Sequence, residues 1–280
     1  MIITAVIVVA VIVLGWVALR GTDVVAPIPG QQRCVATSAT HSVAVDLDQA
    51  HYTSIIVATS IKRGLPARAA SIALATAYQE SGLRNLDHGD RDSVGLFQQR
   101  PSQGWGTEKQ LMNPIYATGK FYDALVKIDG WQRGDINDVA QRVQRSGYPE
   151  AYRDHEADAR TLASVLTGHS AKGLSCLERQ GEAGDAKGLQ TMISDTLGSM
   201  PSRRQGTTLS ITPRSDALAW AYGQFAVANA AAYGVASVQV GDQLWTSDRT
   251  ELATWVQHEA TPAPGSARAS DRAVVITVRA

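Results

Sequence analysis

Gly64-Leu65-Pro66-Ala67-Arg68-Ala69-Ala70-Ser71-Ile72-Ala73-Leu74-Ala75-Thr76-Ala77-Tyr78-Gln79-Glu80-Ser81-Gly82 is the stretch that decides how this chain is read. Gly64-Leu65-Pro66 breaks what precedes it, and proline suits a first helical position because its φ is already fixed and it has no amide to leave unpaired. Ala67 to Ser81 reads as one helix, with Ile72, Leu74 and Tyr78 as its bulky members. Ala73, Thr76 and Ala77 lie seven, four and three residues before Glu80, so this carboxylate stands above a stripe of small side chains on one face. Gly82 supplies the stop. A carboxylate at the partially negative end of a helix is in an environment suited to a group that must hold a proton.

On the C-terminal side, Leu83 to Gly106 carries too much Gly, Asp, Arg, Pro and Gln for a helix and reads as a hairpin or ordered loop containing a Gly95-Leu96-Phe97-Gln98 strand. On the N-terminal side, Val43-Ala44-Val45 reads as a short strand and Gln49 to Arg63 as a helix capped by Asp46 or Asp48. Helical patterns resume at 108–128, 136–145 and 149–166, so residues 34–178 are expected to form a mostly α domain. After Gly181 the pattern changes. Helices at 189–197 and 216–233 alternate with strands at 207–212, 237–240, 244–246 and 274–278, the middle pair joined at Gly241-Asp242. Residues 179–280 therefore read as a small α+β domain of unassigned role, a candidate docking site for a protein partner. The expected fold class is α+β.

The 280 residues carry 26 Lys+Arg against 26 Asp+Glu, so no basic surplus points to nucleic acid. No two histidines stand at HxxxH or HxH spacing, which argues against metal catalysis. Asp87, Asp90 and Asp92 fall short of an EF-hand ladder, and Gly181, Gly184 and Gly188 do not follow a strand as a phosphate loop requires. No cofactor is implied. Ile2 to Leu19 is apolar without a charge, and its eighteen residues reach about 27 Å as a helix, enough to cross a bilayer core. Residues 1–20 are read as a transmembrane anchor in preference to a cleaved signal segment, since Val24-Val25-Ala26-Pro27 is a poor cleavage site. Residues 21–33 form a Pro/Gly-containing linker. Arg20 alone would by the positive-inside rule keep the bulk of the chain in the cytoplasm. Cys34 and Cys176 belong to no CxxC or Cys/His cluster.

Residues 66–152 resemble the lysozyme-like fold of the soluble lytic transglycosylase and goose-type lysozyme superfamily, in a form associated with actinobacterial cell-surface proteins. Ala77-Tyr78-Gln79-Glu80-Ser81 matches the family's Glu-Ser motif, and Ser93-Val94-Gly95-Leu96-Phe97-Gln98 with Pro101 resembles its Gly-Leu-Met-Gln segment. Asn113-Pro114 and Phe121-Tyr122 fall where the family places a cleft-lining helix. The fourth motif departs: Gln144-Arg145-Ser146-Gly147 stands where Tyr-Asn-Ala-Gly is common.

The resemblance implies cleavage of the β-1,4 bond between N-acetylmuramic acid and N-acetylglucosamine in peptidoglycan, with Glu80 as general acid/base. Such cleavage needs a protonated acid at the leaving oxygen and a means of stabilising positive charge at the anomeric carbon. Asp90 and Asp92 are the candidates for a second carboxylate; as loop residues beside Arg91 they read more readily as ion pairs or turn formers. Without a second carboxylate the substrate's acetamido group must act, which favours a lytic transglycosylase over a hydrolase. Ser93 and Gln98 are then expected to bind the sugar, Trp105 to stack on a pyranose, and Tyr122 or Tyr148 to orient Glu80. A cell-wall substrate places the catalytic domain outside the cytoplasm, against the Arg20 bias. In that oxidising compartment Cys34 and Cys176, which bracket the helical domain, are expected to pair. The alternative is a non-catalytic peptidoglycan-binding or cell-envelope interaction protein.

Overall fold

The computed structural model of the protein describes residues 31–39, 41–145, 150–179, 181, 183–258 and 272–280. The anchor read at 2–19 and most of the linker lie outside the described residues, and among the described residues no helix is long and apolar enough to cross a membrane.

The fold is α+β. Strands β1 (Arg33–Thr37) and β2 (Ser42–Val45) lead into helices α1 (Leu47–Lys62) and α2 (Ala67–Ser81). There follow a 3₁₀ turn at Pro101–Gln103, then α3 (Glu108–Leu111), α4 (Pro114–Leu125), α5 (Ile136–Gln144), a 3₁₀ turn at Arg153–His155, α6 (Glu156–Leu166) and β3 (Leu174–Leu177). The remainder comprises α7 (Ala186–Thr196), β4 (Ser202–Gln205), β5 (Thr208–Ile211), α8 (Asp216–Ala228), α9 (Ala230–Tyr233), β6 (Val235–Val240), β7 (Gln243–Thr246), β8 (Val256–Gln257) and β9 (Val274–Val278). The first three strands form an antiparallel sheet ordered β2-β1-β3, and the other six a second antiparallel sheet ordered β4-β5-β9-β6-β7-β8.

Helix α2 is the centre of the helical part. From Ala69 to Ala77 every residue is buried, the behaviour of a helix covered on all sides. Its alanines let neighbouring helices approach closely, and α1, α4, α5 and α6 pack around it. Pro66 stands at the N-cap, one position before the first helical residue, and Gly82 closes the helix with φ +62°. Asp46 caps α1 in a reciprocal box with Gln49.

Several boundaries differ from the sequence reading. The helix expected over 108–128 breaks at Asn113, whose side chain caps a new helix beginning at Pro114. The helix expected over 216–233 breaks at Asn229. Gly95-Leu96-Phe97-Gln98 is not a strand: it is a turn, closed by mutual hydrogen bonds of 3.1 Å between Val94 and Gln99. Strands β1, β3, β4 and β8 have no forewarning in the sequence pattern, being two to five residues long.

Cys34 and Cys176 stand opposite each other on β1 and β3 and are joined by a disulfide. Residues 32–280 form one compact unit, and the boundary read at 178/179 runs through its interior. There Arg279 donates to both carboxylate oxygens of Glu178, which is 1% exposed, at 3.2 and 2.8 Å. Asn229 donates to the Ser54 hydroxyl (2.9 Å) and pairs with His51 Nδ1 (2.6 Å); burial lowers the His51 pKa. Gln224 accepts from the Gly173 amide and donates to Val165 and Ser170 carbonyls, pinning α8 to the end of α6 and the chain that leads from it to β3. Buried polar groups of this kind are costly unless paired, and here they are paired across the junction.

Candidate functional site

Glu80 lies in the last turn of α2, where the buried helix emerges: Tyr78, Gln79 and Glu80 are partly or fully exposed, while Ser81 stays buried. That turn is fixed from several directions. The Gly82 amide donates to Tyr78 O (2.8 Å), the five-to-one bond of a left-handed cap, and the Leu83 amide reaches back to Ala77 O (3.1 Å). Gln49, part of the α1 capping box, also donates to Gly82 O at 2.8 Å. Arg84 pairs with Asp46 at the start of α1. The carboxylate itself is held by Tyr152, a fully buried residue whose hydroxyl donates to Glu80 Oε1 at 2.7 Å.

Ser81 couples Glu80 to the Gly95–Gln98 turn. Its hydroxyl is within hydrogen-bonding distance of both Ala77 O (2.9 Å) and Leu96 O (2.8 Å). Gln144, at the end of α5, donates to Phe97 O (2.8 Å), and the Gly95 amide donates to Leu86 O (2.7 Å). Leu96 and Phe97 are fully buried, and the Phe97 ring stacks on Phe121 at 4.6 Å. The motif is therefore a buried, tightly held turn beside the glutamate. Gly95 is obligatory within it. Its φ is +81°, and a Cβ there would stand 2.6 Å from Leu111 O. Gly95→Ala is expected to cost about 2–4 kcal/mol from left-handed strain and the backbone clash together. Urea unfolding measures this, and a loss below about 0.5 kcal/mol would contradict the reading.

The sequence-selected residues fall in different places. Ser93 and Gln98 are brought together: the Ser93 hydroxyl lies 2.6 Å from Asp90 O and 3.3 Å from Gln98 Oε1, while Gln98 Nε2 donates to His88 O (3.2 Å) and Gly95 O (3.3 Å). A Cβ on Gly89 would stand 1.8 Å from Gln98 Oε1, so the loop backbone lies directly on this side chain. The pair braces the loop after α2. Trp105 is half-buried between Gly104 and Gly106, and the Tyr116 ring fills the space a Cβ on Gly106 would need.

Tyr122 is not brought to Glu80. It is fully buried in α4, its hydroxyl donates to Ile56 O (3.0 Å), and burial pushes its phenol far above the ordinary value. Tyr148 lies outside the described residues. The tyrosine that does reach Glu80, Tyr152, escaped the sequence reading because it is 72 positions away and only the packing of α6 on α2 brings it there.

Of the two loop carboxylates, Asp92 is fully engaged. Oδ1 accepts from Arg100 Nε (2.7 Å) and the Ser102 hydroxyl (3.0 Å), and Oδ2 accepts from the Ser102 amide (2.8 Å). The Arg100 and Ser102 hydrogen bonds hold its carboxyl well below the usual carboxylate range. Asp90 is exposed, with Arg91 Nε at 3.8 Å. Next to the glutamate, Tyr78 and His155 stack at 4.5 Å with an interplanar angle of 11°, and His155 pairs with Gln79 (3.0 Å). Burial raises the Tyr78 pKa and lowers that of His155. Among the described residues no group of three or more His, Cys, Asp or Glu could hold a metal ion.

Chemically, the arrangement is one carboxyl at a helix end, oriented by a phenol and backed by a rigid turn. No protein-family model matches this chain, and a search of curated proteins returned no match.

Proposed function

We propose that this protein cleaves the β-1,4 bond between N-acetylmuramic acid and N-acetylglucosamine in peptidoglycan, as a lytic transglycosylase with Glu80 as both acid and base. The observation that carries the reading is the Glu80–Tyr152 pair at the emerging end of a helix buried along most of its length, together with the engagement of Asp92 by Arg100 and Ser102. A carboxyl held on one oxygen by a buried hydroxyl is pre-positioned, and pre-positioning of this kind is what acid catalysis uses. Asp92, tied into the start of the 3₁₀ turn, is poorly suited to activate water.

Glu80 would donate its proton to the glycosidic oxygen as the bond to the anomeric carbon breaks. The substrate's acetamido group would share the positive charge. The muramic acid C6 hydroxyl would then attack the anomeric carbon and return its proton to Glu80, giving a 1,6-anhydro sugar without consuming water. The disulfide supports an oxidising location, consistent with a domain held outside the cytoplasm by an N-terminal membrane segment.

Mass spectrometry of digested peptidoglycan tests the mechanism. Anhydromuropeptides, lighter than hydrolysis products by one water, are the expected result. Reducing-end muramic acid alone, with severe loss of turnover in Asp92→Asn, would make the enzyme a hydrolase.

A further inference from the structure

We infer that the outer edge of β4, with the groove between β4 and α7, is a docking site for an acidic, extended segment of a partner polypeptide, which joins the six-stranded sheet as a seventh strand. The inference is independent of the glycan reading.

Among the described residues, strand β4 is the terminal strand on one side of the sheet and is paired only with β5. All four of its residues are exposed, as are Pro201 before it and Gly206 and Thr207 after it. A free edge offers a row of backbone donors and acceptors to another chain. Beside this edge lies a groove of about 430 Å³. Ile193 of α7 and Leu209 and Ile211 of β5, all buried, form its aliphatic floor. Gln190 donates to the Ser202 hydroxyl at 3.0 Å, tying α7 to the start of β4. Lys187 and Arg204 stand on the rim. The strand's period of two sends Ser202 and Arg204 toward the groove and Arg203 and Gln205 to the opposite face.

Charge decides the occupant. Arg203, Arg204 and Lys187 have no acidic partner within salt-bridge distance among the described residues, and Asp195 is the groove's single lining carboxylate. A second copy pairing β4 on β4 would place two arginines of each strand against two of the other, and like charges across a strand pair are destabilising. The same arginines that discourage self-pairing favour an acidic strand. Addition of a strand at a sheet edge draws affinity from main-chain hydrogen bonds and selectivity from side chains entering the flanking groove.

The test is amide hydrogen exchange on the full chain in detergent with three blocked hexapeptides at millimolar concentration. One alternates glutamate and valine, one alternates lysine and valine, and one is the acidic peptide with central prolines that cannot donate to a ladder. The acidic peptide should slow exchange over 202–205 by about fivefold or more, and the other two should not. In Arg203→Glu/Arg204→Glu the protection should pass to the lysine peptide, with unchanged exchange in α2 reporting that this variant is folded. Three results would overturn the inference: no protection by the acidic peptide in the wild-type chain, equal protection by the proline peptide, which would indicate a charge patch for anionic polymers, or protection that rises with protein concentration alone, which would indicate a second copy.

Discussion

Glu80→Gln is expected to lower turnover of peptidoglycan by about 10³-fold while leaving the fold intact, in line with the usual contribution of a positioned acid or base. Glutamine is nearly the same size and can still accept the Tyr152 hydroxyl hydrogen bond on its carbonyl oxygen, so the change removes the transferable proton and little else. The comparison with Tyr152→Phe separates orientation from chemistry. Phenylalanine keeps the buried ring and deletes the hydroxyl that aims Glu80. A hydrogen bond to a charged group contributes about 1.5–3 kcal/mol, so kcat should fall about tenfold to a hundredfold with KM little changed. Release of soluble muropeptides from purified sacculi, with thermal unfolding of each variant in parallel, reads both. A well-folded Glu80→Gln with substantial residual turnover would remove Glu80 from the acid role and favour a peptidoglycan-binding protein.

The second large effect concerns stability. Replacing Cys34 and Cys176 by serine opens a covalent loop closed across 142 positions of sequence. In the chain-entropy model a loop of this length stabilises the folded state by about 5 kcal/mol. For a compact unit of this size that corresponds to a fall in Tm of about 10–20 °C. The bond also joins β1 to β3, and β3 touches α8, so its loss loosens the side of the molecule where the two parts of the chain meet. Urea unfolding of the oxidised wild type against the double-serine variant measures the difference. A loss under about 1 kcal/mol would show that the unfolded chain is not appreciably restricted by the link.

Local physics was enough to read much of this chain. A proline before an alanine-rich run and a glycine after it delimit Ala67–Ser81, because the constraints on φ at both ends act within a residue or two. The cap of α1, which the sequence narrowed to Asp46 or Asp48 and the structure assigns to Asp46, the Gly241-Asp242 turn and the strand at 274–278 were legible for the same reason. Glu80 stands out in the sequence as the one carboxylate of that helix, and its candidacy as an acid rests on residues adjacent to it. The α+β class follows from the change of hydrophobic period after Gly181.

What the sequence could not supply is every relation that depends on long separations. Strands β1 and β3 are short, and β3 joins the sheet by pairing with β1, 142 positions away at the disulfide, so it carries no strong local signature. Choosing which tyrosine serves Glu80 required the packing of α6 on α2: Tyr122 looked suitable by position and turned inward to Ile56, while Tyr152 arrived from a segment that read only as part of a helix. Gln98 and Ser93 looked like ligands for a sugar, and the fold uses them to brace the loop on which Gly89 sits. Asp92 shows the same division most clearly. Its sequence neighbours marked it as a carboxylate in a polar loop, whereas its engagement by Arg100 and Ser102 was fixed only when the chain turned back on itself, since a hydrogen-bond partner eight or ten residues away is set by loop geometry and not by residue type.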